Sequence, residues 1–147
     1  MIRLHFIKGE GVGDKLIQTV TWSDWSHVAL EINGRIYEAT LNGVRTVSLE
    51  DFLRYYDEKK ITHKAYRLHG LDEAKVWNRA IGELNKPYDY TTLITHYFKI
   101  DYTERDKWMC SEYAGYCIQE LIPHDKYYKL NPRHLHLIAH AVEKSNA

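Results

Sequence analysis

The chain has 147 residues, and its 20 Lys plus Arg are balanced by 20 Asp plus Glu, giving a formal net charge of zero with histidine neutral. That balance excludes a net electrostatic pull toward nucleic acid or an anionic membrane surface, and the length fits one domain that buries roughly 70% of its unfolded surface. The N-terminal MIRLHFIKGEGVG is interrupted by Arg3, Lys8 and Glu10 and lacks the apolar run of a signal peptide.

No stretch approaches the ~20 apolar residues of a transmembrane span. The expectation is a cytoplasmic protein, although release by lysis or incorporation in a larger particle such as a virion would leave no trace in these patterns. Composition gives no oligomeric state, so partners have to be argued from a site.

In chain order, IRLHFI alternates and is β-branched, which predicts a strand over 2–7. GEGVG breaks it and reads as a flexible loop. A lone Gly-x-Gly-x-Gly is a weak dinucleotide signal, and the hairpin that follows is not a parallel βαβ unit. DKLIQTV predicts a helix over 14–21 with Asp14 as its cap.

SHVALEI, Asn33-Gly34 and RIYEAT form the strongest local signal, because Asn-Gly between alternating runs is the favoured type I′ hairpin turn. Residues 26–40 should form an antiparallel hairpin. VRTVS (44–48) suggests another strand, and SLEDFLRYYDE a helix with Ser48 and Asp51 in a loose capping box. THKAYRLH (62–69) reads as a strand.

LDEAKVWNRAIGEL (71–84) reads as an amphipathic helix whose apolar stripe is Ala74, Val76, Trp77, Ala80, Ile81 and Leu84. Further helices are expected over 88–98, from Cys110 to Leu121, and over 132–143 with Asn131 as cap and Pro132 at the first position. Strands early and helices late make the fold class α+β, a small antiparallel sheet packed against helices.

Both cysteines of the chain lie in WMCSEYAGYC (108–117). On one helix they stand roughly 10 Å apart at 1.5 Å rise per residue. A disulfide needs less than about 7 Å, so they do not pair with each other. Zinc spacing is absent, and of His134, His136 and His140 only the last two share a helix face, so no metal site is expected.

Cys110, Tyr113, Ala114, Cys117, Ile118 and Leu121 trace a buried stripe, so both thiols could be packing alone. Position separates them. Cys110 lies at the helix start, where free N–H groups and the dipole favour a thiolate, whereas Cys117 has apolar neighbours in the helix middle.

The hairpin register offers Cys110 a base. With Asn33-Gly34 as the turn, Ile32 faces Arg35, Leu30 Tyr37, Ala29 Glu38, and His27 Thr40, so His27 and Glu38 become diagonal neighbours on one face. A carboxylate on one ring nitrogen fixes the tautomer and leaves the other nitrogen to take a proton. Glu31, nearer the turn, is the weaker candidate for that orienting role. The plainer reading makes His27 a satisfied strand histidine and Glu38 a surface charge.

The stretches WSHVALEINGRIYEA (25–39), KPYDYTTL (86–93), WMCSEYAGYC (108–117) and NPRHL (131–135) resemble the permuted papain-like amidases, the YiiX-like branch of the NlpC-type cysteine peptidase superfamily, with a more distant likeness to lecithin:retinol acyltransferases. They span most of the chain in the permuted order, histidine strand first and nucleophile helix late. The resemblance implies Cys110 as nucleophile, His27 as general base and Glu38 as third polar residue of a triad. It also implies Tyr88 as an aromatic near the site; Tyr88 and Trp25 are the candidate substrate contacts, with a core role the alternative.

The Gly-Asp-Leu opening strand and the leader peptide frequent in that family are missing here. The implied function is a thiol hydrolase, an amidase or peptidase acting on an amide bond such as those of peptidoglycan peptides, with no metal or organic cofactor. A thiol acyltransferase or lipid-amide hydrolase should instead show an apolar groove beside Cys110, which Trp22, Trp25, Trp108 and the tyrosines could line. A non-catalytic module that keeps the fold is the reading from another class.

Overall fold

The computed structural model describes residues 1–21, 23–89, 107–122 and 130–145. Five strands form one antiparallel sheet: β1 (Ile2–Lys8), β2 (His27–Ile32), β3 (Arg35–Thr40), β4 (Gly43–Ser48) and β5 (Thr62–Leu68), in the order β4-β3-β2-β1-β5. Around it lie α1 (Val12–Thr21), α2 (Leu49–Glu58), α3 (Glu73–Gly82), α4 (Cys110–Cys117) and α5 (Pro132–Ser145). The α+β class read from the sequence is the class observed.

The Asn33-Gly34 turn is present, with positive φ at both residues (49° and 81°), the conformation that type I′ demands and that Gly adopts without steric cost. Its register pairs Ile32 with Arg35, Glu31 with Ile36 and Leu30 with Tyr37. The expected pairs Ala29–Glu38 and His27–Thr40 are not in the ladder. Each strand keeps its outer partner instead: β2 stays on β1 as far as Ile7–His27, and β3 stays on β4 as far as Thr40–Gly43. Beyond Leu30 and Tyr37 the two strands therefore part company, which opens one end of the sheet.

The sheet is covered on both faces. One face contributes Leu4, Phe6, Val28, Leu30, Tyr37 and Ala39, which pack with Val76 and Ala80 of α3, Tyr113, Ala114 and Cys117 of α4, and Leu135 and Ala139 of α5. The other buries Ile7, Ala29 and Ile36 under Phe52 of α2. Burying each large apolar side chain stabilises the fold by about 1.5–3 kcal/mol relative to leaving it exposed.

Local expectations mostly hold at the caps. The Ser48 hydroxyl accepts from the Asp51 N–H at 3.1 Å and donates to its carboxylate at 2.7 Å. The His134 N–H donates to the Asn131 side chain.

Others need correction. Helix α1 starts at Val12, so Asp14 sits within the first turn and accepts the Gly11 N–H instead of capping from outside. The GEGVG loop is tied at Gly9, whose N–H donates to Ser26 and whose carbonyl accepts from Gln18; a Cβ there would meet the Asp14 carboxyl at 2.2 Å. Trp77 is 45% exposed on the rim of α3, donating to the Tyr37 hydroxyl, and does not join the apolar stripe; Ala74 is exposed as well.

The helix expected to run to Leu121 stops at Cys117 and is followed by a 3₁₀ turn, Gln119–Leu121. Tyr88 lies in an isolated bridge with Trp108, not at a helix start, and the remainder of the helix expected over 88–98, from residue 90, lies outside the described residues.

Candidate active site

The open end of the sheet is where the three candidate residues meet. His27 is the first residue of β2, Glu38 lies in the part of β3 that has left the β2 ladder, and Cys110 is the first residue of α4. The parting of the strands leaves room for a side-chain bond in place of the ladder: the His27 Nε2–H donates to Glu38 Oε2 at 2.6 Å. With Nε2 occupied, Nδ1 is the ring nitrogen left to face the Cys110 side chain, which lines the same cleft and acts on this imidazole.

The carboxylate is held from behind. Arg45, opposite Glu38 on β4, donates to Glu38 Oε1 from Nε at 2.8 Å and reaches the same oxygen with Nη2 at 2.7 Å. Glu38 is only 1% exposed, so these charge-assisted bonds are what make its burial tolerable. Burial alone would push its pKa up; the bonds to His27 and Arg45 override that and hold it below the ordinary carboxylate value.

The same competition runs at His27. Burial disfavours the imidazolium, but hydrogen bonds to Cys110 and Glu38 and the negative charge on both raise its pKa to about 10. The ring is therefore poised to carry a proton at neutral pH between a thiol and a carboxylate.

Cys110 is positioned by its neighbours in the chain. The strip before it is fastened to residues 87–89: Trp108 N–H donates to the Pro87 carbonyl at 3.0 Å, and Asp89 N–H to the Trp108 carbonyl at 3.1 Å. Ser111 Oγ ties the first turn of α4 to the Leu130 carbonyl at 2.7 Å. Cys110 sits at the first position of the helix, where N–H groups have no intrahelical acceptor and point toward incoming negative charge. Cys117, at the other end of α4, is fully buried and free, and burial pushes its thiol pKa well up.

These residues open onto a cleft of about 770 Å³. His27, Cys110 and Tyr88 line it; Ile17, Ala39, Leu41, Val47, Phe52, Tyr55 and Tyr56 form most of the rest, with Asp14, Asp51 and Arg45 at charged positions. Tyr88 thus lines the same cleft as Cys110, delivered by its bridge to Trp108.

The structure does not bring Trp25 there. Trp25 packs against Phe6 and His136 in the core, and Trp108 is buried beside Tyr113 and Tyr116 with its indole N–H on Glu83. Trp22 lies outside the described residues. Glu31 is committed elsewhere, to Arg3 and His5. Sequence reasoning missed Arg45, whose signal was its place on the strand across from Glu38, and Glu112, a fully buried carboxyl two residues after Cys110.

Among the described residues, no three His, Cys, Asp or Glu side chains gather in a way that could hold a metal ion. His136 instead bonds the Tyr66 hydroxyl and stacks on His140.

The chain superposes on metalloprotein YiiX from Escherichia coli O157:H7 with a TM-score of 0.60 and 24% identity. The fold is YiiX-like. The match covers 80% of this chain and 63% of that one, so the chain spans less than two thirds of YiiX. No family model and no curated protein sequence matches. Among the described residues no helix is long and apolar enough to cross a membrane.

Proposed function

We propose that the chain is a thiol hydrolase in which Cys110 is the nucleophile, His27 the proton carrier and Glu38 its orienting carboxylate. The observation that carries this reading is the hydrogen-bonded array of His27, Glu38 and Arg45 set in the wall of the cleft that Cys110 also lines, with Cys110 near enough to raise the His27 pKa.

In the proposed reaction, His27 already holds the proton given up by Cys110, and the sulfur attacks an amide or ester carbonyl carbon, placing negative charge on its oxygen near the start of α4. The carbon–nitrogen or carbon–oxygen bond then breaks as the imidazolium returns its proton to the leaving group. A thioester remains. Water, losing a proton to His27, attacks it; the sulfur–carbon bond breaks and the thiol is restored. No step calls for a bound cofactor.

Peptidoglycan peptide bonds are the substrate that the family resemblance implies. The wall of the cleft favours the second reading, a lipid-amide hydrolase or acyltransferase: apolar and aromatic side chains dominate it, and Arg45, the cation in that wall, is already committed to Glu38. Turnover of N-acyl amides that rises with acyl length, with none on peptidoglycan fragments, would select that reading.

The nucleophile itself is tested by iodoacetamide labelling at about pH 6, where an ordinary thiol is almost wholly protonated. Cys110 should label well ahead of Cys117, and His27→Ala should remove most of the lead. Labelling that ignores His27→Ala would refute the assignment.

A further inference from the structure

Glu112 has no role in the reaction just described, yet it sits where a buried acid is most conspicuous. It is the third residue of α4, 1% exposed, two positions from the nucleophile. Its Oε2 accepts the Met109 N–H at 3.3 Å, so the side chain folds back over the helix start and satisfies one of the donors that precede Cys110. Its Oε1 is buried and, among the described residues, meets no hydrogen-bond partner. A carboxylate left in that state would be costly, whereas a carboxylic acid is merely under-satisfied.

We propose that Glu112 is a positioning residue for Cys110 that works only as the neutral acid: it braces the first turn of α4, and its ionisation sets a second negative charge beside the thiolate and shuts the site. The inference rests on the thiol-hydrolase reading for its consequence, while the proton held by Glu112 is a property of the fold. Two charged neighbours act on this carboxyl, Asp89 from the strip beside Trp108 and Cys110 on its own helix, and both are acidic. Burial and these two outweigh the Met109 hydrogen bond and raise its pKa to about 8.

The coupling is reciprocal. A thiolate at Cys110 disfavours the Glu112 carboxylate, and the carboxylate disfavours the thiolate by the same free energy. The site would therefore work at neutral pH and fade well below the point at which His27 loses its proton.

The test compares the wild type with Glu112→Gln, which preserves shape and the Met109 contact but cannot ionise. The readout for each protein is the ratio of Cys110 alkylation by iodoacetamide at about pH 9 to that at about pH 6.5, a ratio that should be about tenfold higher in the Gln variant for a charge interaction at close range in a partly buried site. Superimposable profiles overturn the inference while leaving the nucleophile assignment intact.

If Cys110 shows no enhanced reactivity in either protein, the hydrolase reading and the shut-off both fail. The proton held by Glu112 then stands or falls on urea unfolding. A folded-state pKa above the unfolded value means that stability is highest below the unfolded pKa and declines as pH rises toward the folded one. The wild type should lose stability relative to Glu112→Gln between about pH 5 and pH 8, and parallel curves would show that Glu112 holds no proton there.

Discussion

Two Glu–His pairs stand on the same face of the sheet, and each is backed by an arginine. Glu38 joins His27 and Arg45; Glu31 joins His5 and Arg3. Both carboxylates are 1% exposed, and both have pKa values held below normal by their partners against the opposing effect of burial. The histidines nevertheless go opposite ways. His27 stands where β2 and β3 part, faces a thiol and a cleft, and is driven up to about 10.

His5 lies mid-strand under Phe52, with His63 Nε2 at 2.7 Å from its Nδ1. Burial lowers its pKa, the Glu31 hydrogen bond opposes that, and the field of His63 adds to the lowering. An acid–histidine pair is therefore not a site in itself. What the imidazole's second nitrogen meets, and whether solvent can reach it, decides between chemistry and packing.

The sharpest way to break the comparison is to delete each imidazole. His27→Ala should slow Cys110 alkylation at about pH 6 by about 10²–10⁴-fold, the range for a positioned general base. His5→Ala should leave that rate within about threefold of wild type, since His5 reaches the cleft only from behind, through the Phe52 ring in its wall; alkylation kinetics with peptide mapping measures both. Equal losses would mean that the two pairs are interchangeable structural features.

His5→Ala should instead cost stability, about 1–3 kcal/mol in urea unfolding, because it strips a buried carboxylate of one partner and leaves a cavity beside Phe52.

The pH dependence of stability should also split the pairs. His27 has a raised pKa, so its contribution is fully present below the unfolded value near 6.5 and is lost as pH rises through about 10. His5 and His63 have lowered values, so theirs is present above the unfolded pKa and lost as pH falls through the folded ones. Unfolding midpoints followed across pH should therefore drop in acid for wild type and less for His5→Gln, while the alkaline drop should be blunted by His27→Gln.

How far this contrast could be read in advance follows from where each contact originates. The His27–Glu38 pairing was legible because a two-residue Asn-Gly turn sets a hairpin register, and the diagonal relation survives although the ladder stops short of it. Cys110 at a helix start was legible from the apolar stripe that follows it. The His5–His63 contact was not, since it needs β5 to return beside β1 across nearly sixty residues.

Trp25 and Tyr88 show the same boundary. Both are aromatics near a motif, and only the tertiary bridge between Tyr88 and Trp108 sends one to the cleft while the other fills the core. Glu112 was hidden because a Glu at the third position of a helix reads as an ordinary exposed cap partner; its burial comes from layers packed around α4.

The smallest effect concerns the arginines. Arg45 is 55% exposed while the Glu38 it holds is 1% exposed, and Arg3 stands to Glu31 in much the same way at 34% and 2%. Each carboxylate is buried but keeps its histidine partner, and each arginine head is partly solvated, so Arg45→Met and Arg3→Met should each destabilise the fold by about 1 kcal/mol, the low end of the cost of depriving a buried acceptor of one partner. Only Arg45 is linked through Glu38 to the imidazole that meets Cys110. Arg45→Met should therefore lower the alkylation rate by about two- to fivefold, the kinetic equivalent of at most that energy, and Arg3→Met should not. Lys at position 45 should recover part of the loss, because a single ammonium restores the charge but not the two-nitrogen grip on Oε1. A rate insensitive to Arg45→Met would make this arginine a stabiliser of buried charge, like Arg3, and would leave the orientation of His27 to Glu38 alone.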